Sequence, residues 1–344
     1  MVLFDPGSRI PLRKFGILIP VAANRSERVL EELRRSPVLA GRDEGEWHLT
    51  SDGTELSRAD IERVHAPEYA QRLFSDGLEQ VILEVFELID DDGLPYRYDP
   101  ASATHPLSEL FQGTLHWTAR TYQAGREALA RGFCYHLGGG AHHAHYRFGH
   151  GFCVVNDSVV AIRRLQAEQR IATAWVIDVD AHKGDGTAAL TADDPSIVTL
   201  SVHMASGWPL DLPRYDKNGA EHPSFTPSDI DVPIESGEEG VYLTRLSDAL
   251  DRLWEYPRPD LVYVIGGMDP YEHDGLPSTQ GLRLTLEQLL ERDRTIFDRL
   301  RAAGLPQAWL MAGGYGERAW EPYVPFLEYA LAETLNHESS FDHE

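Results

Sequence analysis

From residue 133 onward, short apolar runs alternate with amphipathic stretches, the rhythm of parallel strands joined by crossover helices. Runs near 133–137, 173–180, 196–203, 261–267 and 307–313 read as strands buried on both faces. Between and after them, segments near 156–169, 185–192, 240–255, 285–303 and 321–337 carry helical spacing. Before residue 133 the pattern is mostly helical, with periodic stretches at 65–74, 81–89 and 110–130. A short apolar run at 15–20 reads as a strand, and Asn24 followed by Glu27 reads as a capping box that opens a charged helix. Residues 41–54 are polar and glycine-containing, as a loop would be, and a second loop rich in Asp, Pro and Tyr separates the 81–89 and 110–130 helices. The stretch 205–233 is the extended irregular one in the second half, and loops of that length usually line a site. The expected fold is α/β: one domain over residues 1–344, a mainly parallel, doubly wound sheet flanked by helices.

Composition adds exclusions. A chain of 344 residues with 42% hydrophobic and 25% charged positions has ordinary globular composition and enough apolar material for a large core. Acidic residues number 55 against 31 basic, a formal charge of −24 that repels phosphate backbones and anionic membranes and attracts cations. Nucleic acid and membrane are therefore not expected as partners. Cys134 and Cys153 cannot build a disulfide framework. The opening residues lack the basic-then-apolar order of a secretion signal, and no stretch reads as a membrane span, so the expected compartment is the reducing cytoplasm.

In an open parallel sheet, ligands bind beyond the carboxyl ends of the strands, and there this chain places its unusual groups. In VIDVDAHKGDG, alternation puts Asp178, Asp180 and His182 on one side of an extended segment, where Asp180 and His182 can turn toward one ion. Caps and turn residues would look similar, but three ionisable groups ending a buried strand are costly without metal or mutual pairing. In VIGGMDPYEHDG a second buried strand runs into Asp269, with Asp274 five positions on, either an Asp-Pro turn or the source of a third ligand. Two carboxylates and one imidazole would make an open, oxygen-rich site for Zn²⁺ or Fe²⁺. His136, His142, His143, His145 and His150 are five of the chain's 15 histidines. His142 and His143 follow a glycine run that can turn both rings toward one point, a pairing suited to proton transfer, with Asp178 and Asp185 available to set their tautomers. His145 and His150 read as loop residues. In LMAGGYG the glycines allow Tyr315 to face a cleft at a strand end, although a turn aromatic would read the same way.

Taken in order, GGGAHHAHYRFGHGFCVVND, VIDVDAHKGDGTA, LSVH, GGMDPYEHDG and AGGYG resemble the zinc-dependent histone deacetylase superfamily, which has the arginase/deacetylase fold. HAPEYAQRLF resembles that family's early helical region. The form GGY and the stretch RDRTIFDRLRAAGLP are most similar to class IV members and bacterial deacetylase-like amidohydrolases. The resemblance implies Asp180, His182 and Asp269 as Zn²⁺ ligands, His143 as general base and His142 as its electrostatic neighbour. It implies Asp178 and Asp185 as hydrogen-bond partners of the two imidazoles and Tyr315 as the group that steadies the substrate carbonyl. Gly151 and Phe152 match the acyl-lysine tunnel wall, and Trp208 falls near the expected opposing aromatic. Backbone carbonyls around Asp178, Asp180, His182 and Ser201 match a structural K⁺ site of the family.

Three departures stand out: Lys183, where a neutral or imidazole side chain is common; Met268, where a small residue is usual; and Trp208, larger than the usual phenylalanine. Lys183 bears on the surroundings of the metal ligands, and Met268 and Trp208 on the width of the tunnel. The implied function is metal-dependent hydrolysis of an N-acyl-lysine amide. The alternatives are an acetylpolyamine or other small acylated amine as substrate, favoured by the acidic charge, and a non-catalytic acyl-lysine binder. A ureohydrolase of the same fold would need a carboxylate-rich two-metal site, which the paired histidines and Tyr315 speak against.

Overall fold

The structure, a computed structural model, describes residues 1–341 apart from Arg9 and Asp91, so the last three residues of the expected 1–344 domain lie outside the described residues. Its strands are β1 (Val2–Leu3), β2 (His48–Leu49), β3 (Phe133–His136), β4 (Ala174–Asp178), β5 (Ile197–Met204), β6 (Ile230–Ile234), β7 (Leu261–Ile265) and β8 (Gln307–Leu310). They form one sheet in the order β2-β1-β3-β8-β7-β4-β5-β6, with every pairing parallel.

Ten helices accompany the sheet among the described residues. They are α1 (Arg25–Arg35), α2 (Arg58–Glu62), α3 (Pro67–Leu73), α4 (Leu78–Val85), α5 (Leu110–Arg131), α6 (Asp157–Ala167), α7 (Asp185–Thr191), α8 (Tyr242–Leu253), α9 (Leu286–Ala302) and α10 (Tyr323–Phe341).

Period-two alternation divides the central strands between two apolar layers. On one face Cys134, Val176, Tyr263, Ile265 and Leu310 pack with Tyr122 and Ala128 of α5 and Ile162 and Leu165 of α6. On the other, Tyr135, Ile177, Val262, Val264 and Trp309 pack with Leu246 and Leu250 of α8, Ile296 and Phe297 of α9, and Phe326 and Leu331 of α10. A sheet buried on both faces needs continuous apolar strands, which is why these segments show no polar stripe. A third cluster joins α2, α3 and α4 to the starts of α5 and α6 through Ile61, Tyr69, Leu73, Val81, Phe111 and Val159. Phe152 and Tyr315 pack against that cluster, which makes it one wall of the cleft described below. Among the described residues no helix is long and apolar enough to cross a membrane.

Several sequence expectations need correction. The run 15–20 is not a strand: Leu12–Phe15 form a 3-10 turn closed by Gly16 at φ +76, and Ile17 makes only an isolated bridge to Tyr98. The 41–54 segment contains β2, and β1 was not anticipated, because two-residue strands carry no measurable period. The irregular stretch 205–233 runs into β6, whose Pro233 reads against a strand but is tolerated on the sheet edge that β6 occupies. The periodic segment 65–74 yields α3, with a further short helix, α2, preceding it and His65 between the two. Asn24 does precede α1, yet its side chain makes no capping bond. Instead the first turn of α1 docks on strand ends: Arg25 donates to the carbonyls of Gly314 (2.6 Å) and Ala312 (2.9 Å), and Ser26 to that of Leu137 (2.9 Å). Finally, β4, β7 and β8 stop at Asp178, Ile265 and Leu310, so the polar residues beyond them leave the ladder.

Candidate active site

The four strand ends singled out in the sequence belong to β3, β8, β7 and β4, which are consecutive neighbours in the sheet. Past the ladder, Asp180, His182 and Asp269 converge, each buried, with one donor atom apiece within 4.8 Å of the others. Nδ1 of His182 lies 3.1 Å from Oδ2 of Asp269 and 3.4 Å from Oδ1 of Asp180. Glycines make this crowding feasible. A methyl group at Gly267 would land inside the Asp180 carboxylate, and one at Gly313 would collide with both Asp180 and Asp269.

The trio fits a divalent cation. Tetrahedral bonds of about 2.0–2.1 Å separate donor atoms by roughly 3.3 Å, close to the spacings seen. Oδ2 of Asp269 is buried and, beyond its ion-pair contact with His182, accepts no hydrogen bond, which leaves it available to a cation. Burial opposes charge on His182, but Asp180 and Asp269 draw its pKa up to about 10, while burial and the Asp180 charge push Asp269 up to about 6. The donor set therefore calls for more positive charge than the side chains supply.

Beside the trio, His142 and His143 stand with ring centroids 3.9 Å apart. Nδ1 of His142 is 2.6 Å from Oδ2 of Asp178, and Nδ1 of His143 is 2.6 Å from Oδ1 of Asp185. An ionised carboxylate only accepts, so each Nδ1 carries a proton, and in whichever ring is neutral Nε2 is the free nitrogen. Burial works against charging His142, but Asp178 and Asp180 overcome it and raise its pKa to about 9. Burial, then the neighbouring His142 charge, push His143 down to about 3 against the pull of Asp185. The glycine turn before the pair is pinned by Asp157, which accepts from the backbone nitrogens of Gly140 (3.0 Å) and Ala141 (2.7 Å) and from the Thr121 hydroxyl (2.5 Å).

His145 and His150, read as loop residues, do lie in the loop but are not merely solvated. His145 is 1% exposed, and its Nε2 lies 3.1 Å from Oδ2 of Asp185, which also accepts from the Ser224 hydroxyl. His150 stacks on Trp208 at 4.8 Å. Asp185 thus serves two imidazoles and a hydroxyl. A second histidine two positions after His143 was a visible signal; Ser224 had none.

Tyr315 lines the same cavity, of about 170 Å³, as His142, His143, Gly151, Phe152, Asp180 and His182. Its ring meets Phe152 edge-on at 6.5 Å. Burial and the negative charges of Asp269 and Asp180 hold the phenol well above its usual range, so it remains a proton donor. Asp274, the other candidate in its segment, anchors this loop instead. It accepts from the backbone nitrogens of Tyr315 (2.7 Å) and Leu276 (2.8 Å) and from the Thr279 hydroxyl (3.0 Å). Trp208 stands edge-on to His143 at 4.5 Å and to His182 at 5.5 Å, packed against Gly151.

The other two departures turn away from the cavity. Lys183 is buried, donating to the carbonyl of Thr226 (2.7 Å) with its Nζ 3.5 Å from Asp231. Met268 lies in the apolar core with its sulfur 3.2 Å from Arg292, so it does not narrow the slot as its position suggested.

Residues 19–325 match the histone deacetylase domain. An uncharacterized protein of Picosynechococcus sp. is 30% identical over 261 residues, 76% of each chain. Histone deacetylase 2 of Arabidopsis thaliana is 26% identical over 323 residues, 89% of this chain and 76% of that one. The acetoin utilization protein AcuC of Bacillus subtilis is 27% identical over 269 residues, 77% of this chain and 65% of that one. Because the domain match runs from before α1 into α10 and takes in all four strand ends around the cavity, the chain belongs to the histone deacetylase family and is a hydrolase of the deacetylase kind.

Proposed function

We propose that the protein hydrolyses the amide of an acylated lysine side chain, with Asp180, His182 and Asp269 holding Zn²⁺ or Fe²⁺. The observation that carries this reading is the meeting of two carboxylate-paired imidazoles and Tyr315 in one cavity with Asp180 and His182, two members of that buried trio. When bound, the cation polarises the acyl carbonyl and acidifies a water molecule. His143 is the general base: kept neutral, its Nε2 accepts a proton as the water oxygen bonds to the carbonyl carbon. His142, held charged beside it, supplies a positive field to the developing oxyanion. The Tyr315 hydroxyl donates to that oxyanion, an interaction stronger in the transition state than in the ground state and worth about 3 kcal/mol. The C–N bond then breaks as His143 returns the proton to the departing amine, leaving a carboxylic acid and an amine, which exchange the acid proton to give carboxylate and ammonium. Gly151, Phe152 and Trp208 form the slot that receives the acylated chain. A K⁺ ion among the carbonyls around Asp178, Asp180, His182 and Ser201 would support the ligand loop from behind.

Turnover of the metal-analysed protein on acetyl- to myristoyl-lysine peptides tests the reading. Tyr315→Phe is expected to keep fold and metal while losing about 10²–10³ in kcat; near-wild-type turnover would contradict the assignment.

The formal charge of −24 favours a second substrate class for the same chemistry, a small cationic acylated amine such as an acetylpolyamine. A steep fall of kcat/KM with salt for acetylpolyamine but not for acetyl-lysine peptide would select it.

A further inference from the structure

The segment RDRTIFDRLRAAGLP has no part in the chemistry above, yet its first residue, Arg292 on α9, is fully buried directly behind the ligand loops. One guanidinium nitrogen, Nη1, donates to the carbonyls of both Val179 and Gly267, each at 2.9 Å. These carbonyls sit just past the ends of β4 and β7, one residue before Asp180 and two before Asp269. Nη2 lies 3.2 Å from the sulfur of Met268, and Nε donates to Asp293 at 2.8 Å.

Once paired strands leave the ladder, buried carbonyls need new donors. A neutral side chain could supply them at lower cost than an ion, since burying a guanidinium requires the companion charge of Asp293. What the guanidinium adds is rigidity: the two N–H bonds of its planar Nη1 point in fixed directions, one to each carbonyl, whereas an ammonium is a point charge on a flexible stem.

We infer that Arg292 is a positioning residue for the metal site, tying the Asp180 and Asp269 loops together at a set separation, with Met268 as the matching sulfur contact. Met268, unusual beside a ligand, is explained by that role. The inference rests on the reading of Asp180, His182 and Asp269 as the metal ligands.

The test is direct metal binding. Co²⁺ absorption and Zn²⁺ competition against a chelator would be measured on the full-length wild type, Arg292→Lys and Met268→Leu, with folding checked by circular dichroism. Wild type binding one Co²⁺ with a tetrahedral-type spectrum is the baseline; no binding would overturn the metal reading itself. Arg292→Lys is expected to bind Zn²⁺ 10–100-fold more weakly, with a shifted Co²⁺ band and unchanged helix content. Unchanged affinity and spectrum, with only a lowered melting temperature, would make Arg292 purely structural and overturn the inference. If Arg292→Lys does not fold, Met268→Leu carries the test. It keeps the core volume but loses the sulfur, so a weaker site and a shifted Co²⁺ band support the inference, while wild-type binding refutes it.

Discussion

At the scale of single residues, the division of labour between two adjacent histidines follows from their partners. His142 faces Asp178 and Asp180 and is held charged, whereas His143 is buried beside that charge and is held neutral. Asp185 keeps the proton of His143 on Nδ1, so Asp185→Asn presents an amide that can donate and stabilise the wrong tautomer. Its kcat is expected to fall by about 10²–10⁴-fold with metal content nearly intact, as steady-state kinetics with metal analysis would show. Asp180, His182, Asp269, His142, His143 and Tyr315 were legible in the chain because each lies in a short motif whose cost in a buried strand end needs an explanation. Ser224, Asp157 and Arg292 were not: Ser224 meets Asp185 across 39 residues, and Arg292 meets Val179 across 113, distances over which no sequence period speaks.

At the scale of elements, the loop after β3 is tightly constrained. Gly151 adopts φ +50, and a methyl there would run into Trp208 and the His143 ring. Gly151→Ala should therefore lose about 1–3 kcal/mol of stability in urea unfolding and raise KM more than it lowers kcat. An unchanged KM would remove Gly151 from the slot wall. The long, continuous apolar strands β4, β5 and β7 and the periodic helices α5, α6, α8 and α9 could be read in advance, since burial on two faces or one leaves a direct imprint on composition. The outer strands, the edges β2 and β6 and the inner neighbour of β2, β1, could not. Two of them are two residues long and the third carries a proline, and each owes its existence to a neighbour that offers a ladder.

At the scale of the whole molecule, several histidines are folded away uncharged, and this sets an acid limit to stability. His65 is fully buried, with Nδ1 2.8 Å from the carbonyl of His145 and Nε2 accepting from the Asn156 nitrogen at 3.0 Å, so a second proton has no acceptor. Burial lowers its pKa to about 4 and that of His136 to about 3. An unfolded chain takes these protons near pH 6.5 while the native state refuses them. Their contribution is thus complete above about pH 6.5 and is lost as pH falls through about 4, on the order of 3 kcal/mol for His65 alone. Urea midpoints of the metal-free protein should fall between pH 7 and 4.5, and a flat profile would contradict the neutral burial of His65. The chain by itself determined the alternation of strands and helices, the parallel sheet and the chemistry placed at each strand end, because solvation and backbone geometry act on neighbours in sequence. Only the tertiary structure decided that β3, β8, β7 and β4 stand side by side, that Met268 turns into the core and that Arg292 reaches both ligand loops. Strand order and long-range hydrogen bonds are settled by how the layers pack, and packing is a property of the assembled chain.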